Sequence, residues 1–419
     1  MPGKKQPFAL ETYTDLLRSQ TITEESPGFI LKDFRTLLNF LQEEQVLAGG
    51  KNQLLQLKFL PALNDRLSHS TDLRLKRPVH KSYPYIHGLY LLLRVMAIVQ
   101  IMPRGRNQVF ELDEARLQAW NQLNPTEQYF ALLEAWLIVA NEAVLGEARS
   151  REIINQVALY WQLTEPTQKI TNDLLQDGLE RLPGLPHLAL AELFGLLSIQ
   201  PGKPKEGKGW QVKQVKKLPL GDALIPLTMN AFLNYPYPWN AEFNDPAMDE
   251  QDFPDEPPGF GLLKSALQPF FPELQTVWTP PSQVFQEGIY TFKVSLGSVW
   301  RRIASPAECS LEDLAYAILN SYGFDDDHLY EFSYKDQRGL LCQICHPACE
   351  EPPFTDEVRV GDVVLPPGQA MQFRYDFGDN WKFKVELESL APSDPKMKQC
   401  KLLERHGKAP EQYPSYDGW

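Results

Sequence analysis

No stretch of this chain supplies the roughly 20 uninterrupted apolar residues that a membrane-crossing helix needs. The longest runs, Leu89–Val99 and Ala131–Val139, are broken by Arg94 and Glu134. The opening Met1-Pro2-Gly3-Lys4-Lys5-Gln6 has no apolar core behind its charges, so no secretory signal is expected there. A cytoplasmic protein with no membrane partner follows, and its five cysteines are expected to be reduced. Glycine-rich phosphate-loop and dinucleotide fingerprints are missing, as is the paired-histidine signature of a metalloprotease. Cofactor-dependent catalysis therefore has no handle, and no cofactor is expected. The net charge of −13 excludes a protein that coats nucleic acid over its whole surface, though not one with a local basic patch.

What is present is enough to build real cores. A length of 419 residues with 43% apolar side chains points to several domains rather than one. Charge is unevenly spread. Residues 66–230 carry 19 Lys and Arg against 16 Asp and Glu, whereas residues 288–419 carry 14 against 21. Between them, Glu242–Glu256 is acidic and broken by Pro246 and Pro254, as a solvated linker would be. The expected layout is a helical region over 1–115, a second unit over 116–235, a linker with a short helix over 236–284, and a final domain over 285–419. The expected fold class is α+β, with a mostly helical N-terminal part and a C-terminal antiparallel sheet packed by a helix.

One arrangement recurs in the helical part. Asn124, Pro125 and Glu127 have the spacing of a capped helix start before an apolar stripe over 126–144. Helices are also expected over Thr167–Leu182 and His187–Leu197. Ser198–Gln200 and Trp210–Val215 then read as two strands joined by the Gly/Pro-rich loop Pro201–Gly209, and Leu218 restarts a helix. Upstream, the helix Tyr85–Met96 precedes two strands around the basic turn Pro103-Arg104-Gly105-Arg106-Asn107. Helices followed by a basic-tipped hairpin resemble a winged-helix module, here twice in tandem.

Lys203, Lys205, Lys208, Lys213, Lys216 and Lys217 lie within 15 residues opposed only by Glu206. With Arg104 and Arg106 they are the candidate nucleic-acid contacts, since lysine and arginine neutralise phosphates and release counterions. Arg74, Lys76, Arg77 and Lys81 form a second cluster. Double-stranded DNA is the expected partner; a protein-contacting or solvating loop is the rival reading.

The C-terminal region alternates cleanly. Tyr290, Phe292, Val294 and Leu296 share one strand face, as do Met371, Phe373, Tyr375 and Phe377. Ser310 with Asp313 starts a helix whose stripe runs from Leu311 to Tyr322, and Gly323 ends it. Four ordered motifs here, Tyr290–Leu296, Val299–Ile303, Asp327–Phe332 and Tyr375–Trp381, resemble the plasmid pRiA4b ORF-3-like family, also met as transposon passenger proteins. The residues carrying the resemblance are Trp300, Arg301, Arg302, His328, Tyr330, Phe332, Tyr375, Asp376, Phe377, Gly378, Asp379 and Trp381. It implies an α+β domain linked to mobile elements and implies no reaction; separately, this domain is expected to contact a protein partner. Members often carry a histidine where this chain has Phe383.

Asp376, Asp379 and His328, with Asp325–Asp327, are the candidates for acid–base or divalent-metal chemistry on nucleic acid or nucleotide. The competing reading is turn chemistry at Gly378-Asp379-Asn380 and pairing of Asp376 with Arg301 or Arg302. Cys342-Gln343-Ile344-Cys345-His346 matches a haem-attachment pattern, which needs export; Cys342, Cys345 and Cys349 are better read as possible zinc ligands. The expectation is a non-catalytic accessory or regulatory protein, against an enzyme or an interaction scaffold.

Overall fold

A computed structural model describes residues 10–105, 107–147, 152–236, 257–280 and 285–413. The acidic segment Glu242–Glu256 and Arg106 lie outside them. The chain divides into two units: residues 1–100 with 110–280, and residues 101–109 with 281–419. No described helix is long and apolar enough to cross a membrane.

Along residues 14–112 the elements are α1 (Thr14–Arg18), α2 (Ile30–Glu43), β1 (Leu47–Gly49), β2 (Leu54–Leu55), α3 (Leu60–Arg66), α4 (Pro84–Val95), β3 (Val99–Arg104) and β4 (Asn107–Leu112), with the 101–109 part of the last two strands grouping with the second unit. The first unit continues with α5 (Glu114–Gln122), α6 (Pro125–Glu134), α7 (Ile153–Leu163), β5 (Thr167–Lys169), α8 (Asp173–Arg181), α9 (Leu185–Leu193), β6 (Leu197–Pro201), β7 (Val212–Lys217), α10 (Pro219–Leu233) and α11 (Lys264–Leu267). One order occurs twice apart from an added strand: helix, short strand, two helices, hairpin. It is α2-β1-β2-α3-α4-β3-β4, where β2 pairs with β1, and again α7-β5-α8-α9-β6-β7. In both copies the first strand lies beside the last, giving sheets ordered β2-β1-β4-β3 and β5-β7-β6.

The two third helices are α4 and α9. All 12 residues of α4 are buried, as are His187 to Ala191 and Leu193 of α9. An apolar run on every face must be covered on every face, and each helix covers the other. A Cβ on Gly88 would lie 2.7 Å from Leu190 Cγ, and the Tyr85 hydroxyl donates to Glu192 at 2.5 Å.

Two helix boundaries differ from expectation. Thr167–Lys169 is a strand, because it pairs with Gln214–Lys216 of β7; the helix starts only at Asp173, where the Asn172 side chain accepts from Leu175 N. The helix that Asn124 and Glu127 cap ends at Glu134 and widens into a π-turn over Ala135–Val139.

The second unit is β8 (Ile289–Leu296), β9 (Val299–Pro306), α12 (Leu311–Tyr322), β10 (Tyr330–Lys335), β11 (Leu341–Cys345), β12 (Ala370–Tyr375), β13 (Trp381–Ala391) and β14 (Lys401–His406). Its antiparallel sheet has the order β11-β10-β12-β13-β8-β9-β14. Ser310 and Asp313 cap each other reciprocally at the start of α12, and Gly323 takes the left-handed conformation (φ 73°) at its end. Register places Phe332 opposite Phe373, Phe373 opposite Phe383 and Val385 opposite Val294. These side chains form one buried face under the Leu311–Tyr322 stripe. Fully burying each is worth about 1.5–3 kcal/mol before entropy is subtracted. The class is α+β.

Candidate nucleic-acid interface and the C-terminal polar corner

The sheet β5-β7-β6 has one face on the core, where Val215 is buried, and one toward solvent. Directly paired residues share a face. Thr167 and Ser198 flank Lys216, and Lys169 and Gln200 flank Gln214. The outer face is thus Thr167, Lys169, Ser198, Gln200, Gln214 and Lys216, mostly exposed and without a carboxylate. Lys169 escapes sequence reasoning, because the pattern around it reads as helix rather than strand.

Of the six lysines between 203 and 217, five are exposed. Lys205 and Lys208 meet Asp173 at 2.7 and 3.8 Å, and the Lys205 hydrogen bond holds the Asp173 carboxyl below its usual range. Lys217 leaves the set. Its ammonium donates to the carbonyls of Trp161 and Thr164 at the end of α7, over the Trp161 ring, and burial lowers its pKa.

Two basic segments far apart in sequence meet at the β6–β7 loop. Gly207 N donates to the Arg74 carbonyl at 2.9 Å, setting the loop against the segment that carries exposed Arg74, Lys76 and Arg77; the Arg74 guanidinium itself pairs with Asp72 at 3.3 Å. Lys81 lies 3.7 Å from Glu147. Arg104 is exposed but falls in the segment that groups with the second unit.

In the second unit, His328 sits between two carboxylates, its Nε2 3.6 Å from both Asp376 and Asp327. Tyr413 donates to Asp327 at 3.2 Å, and Tyr375 to the Asp325 carbonyl at 2.6 Å. Asp376 takes a positive φ of 53°, and its Oδ1 accepts from Gly378 N at 2.8 Å. Its carboxylate is thus spent largely on the turn, while Asp379 is exposed. Asp327, not Asp379, is the second acid at His328.

The expected pairing of Asp376 with the arginines does not occur. Alternation along β9 sends Arg301 inward, to the carbonyls of Ser321 (2.9 Å), His406 (3.0 Å) and Gly407 (3.3 Å), with Tyr322 under its guanidinium. Arg302 points outward to Glu388 at 2.6 Å and to Glu404. Trp300 stacks on His406, with ring centroids 5.3 Å apart. Phe383 is wholly buried among Tyr322, Phe324 and Phe373.

The cysteine set is split by strand geometry. Cys342 and Cys345 are three residues apart on β11 and so face opposite sides. Cys342 meets Tyr334 and Cys345 meets Cys349, and burial raises both thiol pKa values. Among the described residues no group of three His, Cys, Asp or Glu is placed to hold a metal ion.

Residues 288–414 match the family model described as plasmid pRiA4b ORF-3-like protein. Among solved structures, the chain is similar to a protein of unknown function, MM3350 from Methanosarcina mazei Go1. Identity is 28% and the TM-score 0.27, covering 30% of this chain and 73% of that one. No curated protein matches. The sequence match falls on the C-terminal domain, which is accordingly assigned to the plasmid pRiA4b ORF-3-like family.

Proposed function

We propose that this chain is a mobile-element-associated accessory protein that binds nucleic acid through its first unit and catalyses no reaction. In this reading α2–β4 and α7–β7 are tandem winged-helix units, supported by the duplicated element order and by the first strand lying beside the last in each sheet. A helix-turn-helix protein ordinarily reads bases by laying its recognition helix in the major groove. Here the helices in that position, α4 and α9, are buried against each other, so base reading by them is closed off. What remains is contact with the phosphate backbone, which carries affinity but no sequence information directly.

The observation that carries the proposal is the Gly207–Arg74 hydrogen bond. It sets the Arg74–Arg77 segment against the β6–β7 loop that carries Lys205 and Lys208, in the same unit as the carboxylate-free face bearing Lys169 and Lys216. The C-terminal domain, with its acidic balance, is left to contact a protein partner. Fluorescence anisotropy with a labelled random-sequence duplex tests the reading. Binding should be independent of sequence, weaken steeply with salt, and drop at least tenfold in Arg74→Ala/Lys76→Ala/Arg77→Ala. Equal affinity of that variant and the parent chain would refute it.

A further inference from the structure

We infer that the hollow between the β6–β7 loop and the β5–α8 connection seats a single phosphate group; this rests on the nucleic-acid reading and makes it specific. The hollow has a volume of about 240 Å³ and is lined by residues 170–172, Gln176, 202, 203, 205 and 211–213. That is below the roughly 300–1,000 Å³ of organic-ligand pockets, a size suited to a small anion rather than a base with its sugar.

Its walls are fixed by hydrogen bonds that use up the backbone. Ile170 N donates to the Lys213 carbonyl at 2.8 Å, and Gly202 N to the Gln211 carbonyl at 2.7 Å. The Gln176 amide bridges the Trp210 carbonyl (3.1 Å) and Val212 N (3.0 Å). A register shift between Gln200 and Pro201 leaves Lys213 outside the pairing of β6 with β7, so its side chain is not committed to the sheet's alternation. Lys205 is drawn to Asp173. Lys203 and Lys213, both exposed and on opposite sides of the loop base, remain among the residues lining the hollow with Thr171. Two cations with three donors each, on a rigid wall, match the acceptor-only oxygens of a phosphate.

The test uses the full chain with two probes, inorganic pyrophosphate followed by ³¹P NMR line width and a labelled random duplex followed by anisotropy. Lys203→Ala/Lys213→Ala should abolish pyrophosphate broadening and reduce the slope of log affinity against log salt by about 0.9, the value for one phosphate contact. Lys205→Ala should leave the pyrophosphate broadening in place. Duplex binding with unchanged slope and unchanged broadening in the double variant would overturn the phosphate seat while the nucleic-acid reading stands. Pyrophosphate broadening that the double variant loses, in a chain that binds no duplex, would uphold the seat as an anion site and sink the nucleic-acid reading.

Discussion

The buried carboxylate of Glu134 accepts the backbone N–H of Leu263 at 2.7 Å, while its other oxygen accepts Gly261 N at 2.8 Å. Seven residues earlier on α6, Glu127 accepts both Gln275 N and Thr276 N on its Oε1, so two glutamates hold the 257–280 segment by its backbone. Burial outweighs those bonds at Glu134 and pushes its pKa up to about 7 from the ordinary 4.5.

A folded-state pKa above the unfolded one means the native chain holds the proton more tightly. The Glu134 contribution is therefore fully present below pH 4.5 and is lost as pH rises through about 7. Thermal melts between pH 5 and 8 should show stability falling with pH from this group. Glu134→Gln should flatten that dependence. Glu134→Ala should destabilise at every pH, since two buried N–H donors lose their acceptor at about 1–3 kcal/mol each. A pH profile unchanged by Glu134→Gln would contradict the assignment.

Adjacent arginines should behave differently. Arg301 is 3% exposed and supplies donors to four carbonyls, so Arg301→Ala should cost about 2–4 kcal/mol in urea unfolding. Arg301→Lys should recover little, because an ammonium lacks the planar fork. Arg302 pairs near the surface, and Arg302→Ala should cost at most about 1 kcal/mol. Equal costs would show that the inward–outward distinction is wrong.

The close approach of α4 and α9 depends on Gly88. A methyl there would crowd Leu190 and lie 3.1 Å from the Pro186 carbonyl. Gly88→Ala should lower stability by about 1–3 kcal/mol, the usual cost of overpacking. If calorimetry found it neutral or stabilising, the direct packing of these helices would be in error.

At the β12–β13 turn, Asp376→Asn should be nearly neutral, since asparagine tolerates a left-handed backbone and keeps an acceptor for Gly378 N. Asp376→Ala should cost about 1–3 kcal/mol by losing both. Asp379→Ala should stay within about 0.5 kcal/mol. Urea midpoints for the three variants decide this; a large loss at Asp379 would reverse the roles assigned to the two acids.

Much of the fold is written locally. The Ser310–Asp313 and Asn124–Glu127 boxes, Gly323, and the alternation of Tyr290–Leu296 and Met371–Phe377 all act within a few residues, and all are present in the structure. What is not legible depends on distant partners. Thr167–Lys169 has no strand signal of its own and is a strand only because β7 lies beside it. The apolar Leu89–Val95 announces burial without saying that α9 covers it. Arg301 and Arg302 are identical residues, and only the pleat and the placement of α12 separate their roles. The basic cluster reads in sequence as six lysines alone, yet Lys217 turns inward and Arg74 arrives from more than a hundred residues upstream.

The most direct test is the salt dependence of random-duplex binding by the full chain, compared with a variant carrying alanine at Lys169, Lys203, Lys213 and Lys216. The account predicts measurable binding that weakens log-linearly with salt, with the slope reduced by roughly 3 in the variant, about 0.9 for each of three phosphate contacts. Binding that ignores salt, or a slope identical in the two proteins, would contradict it.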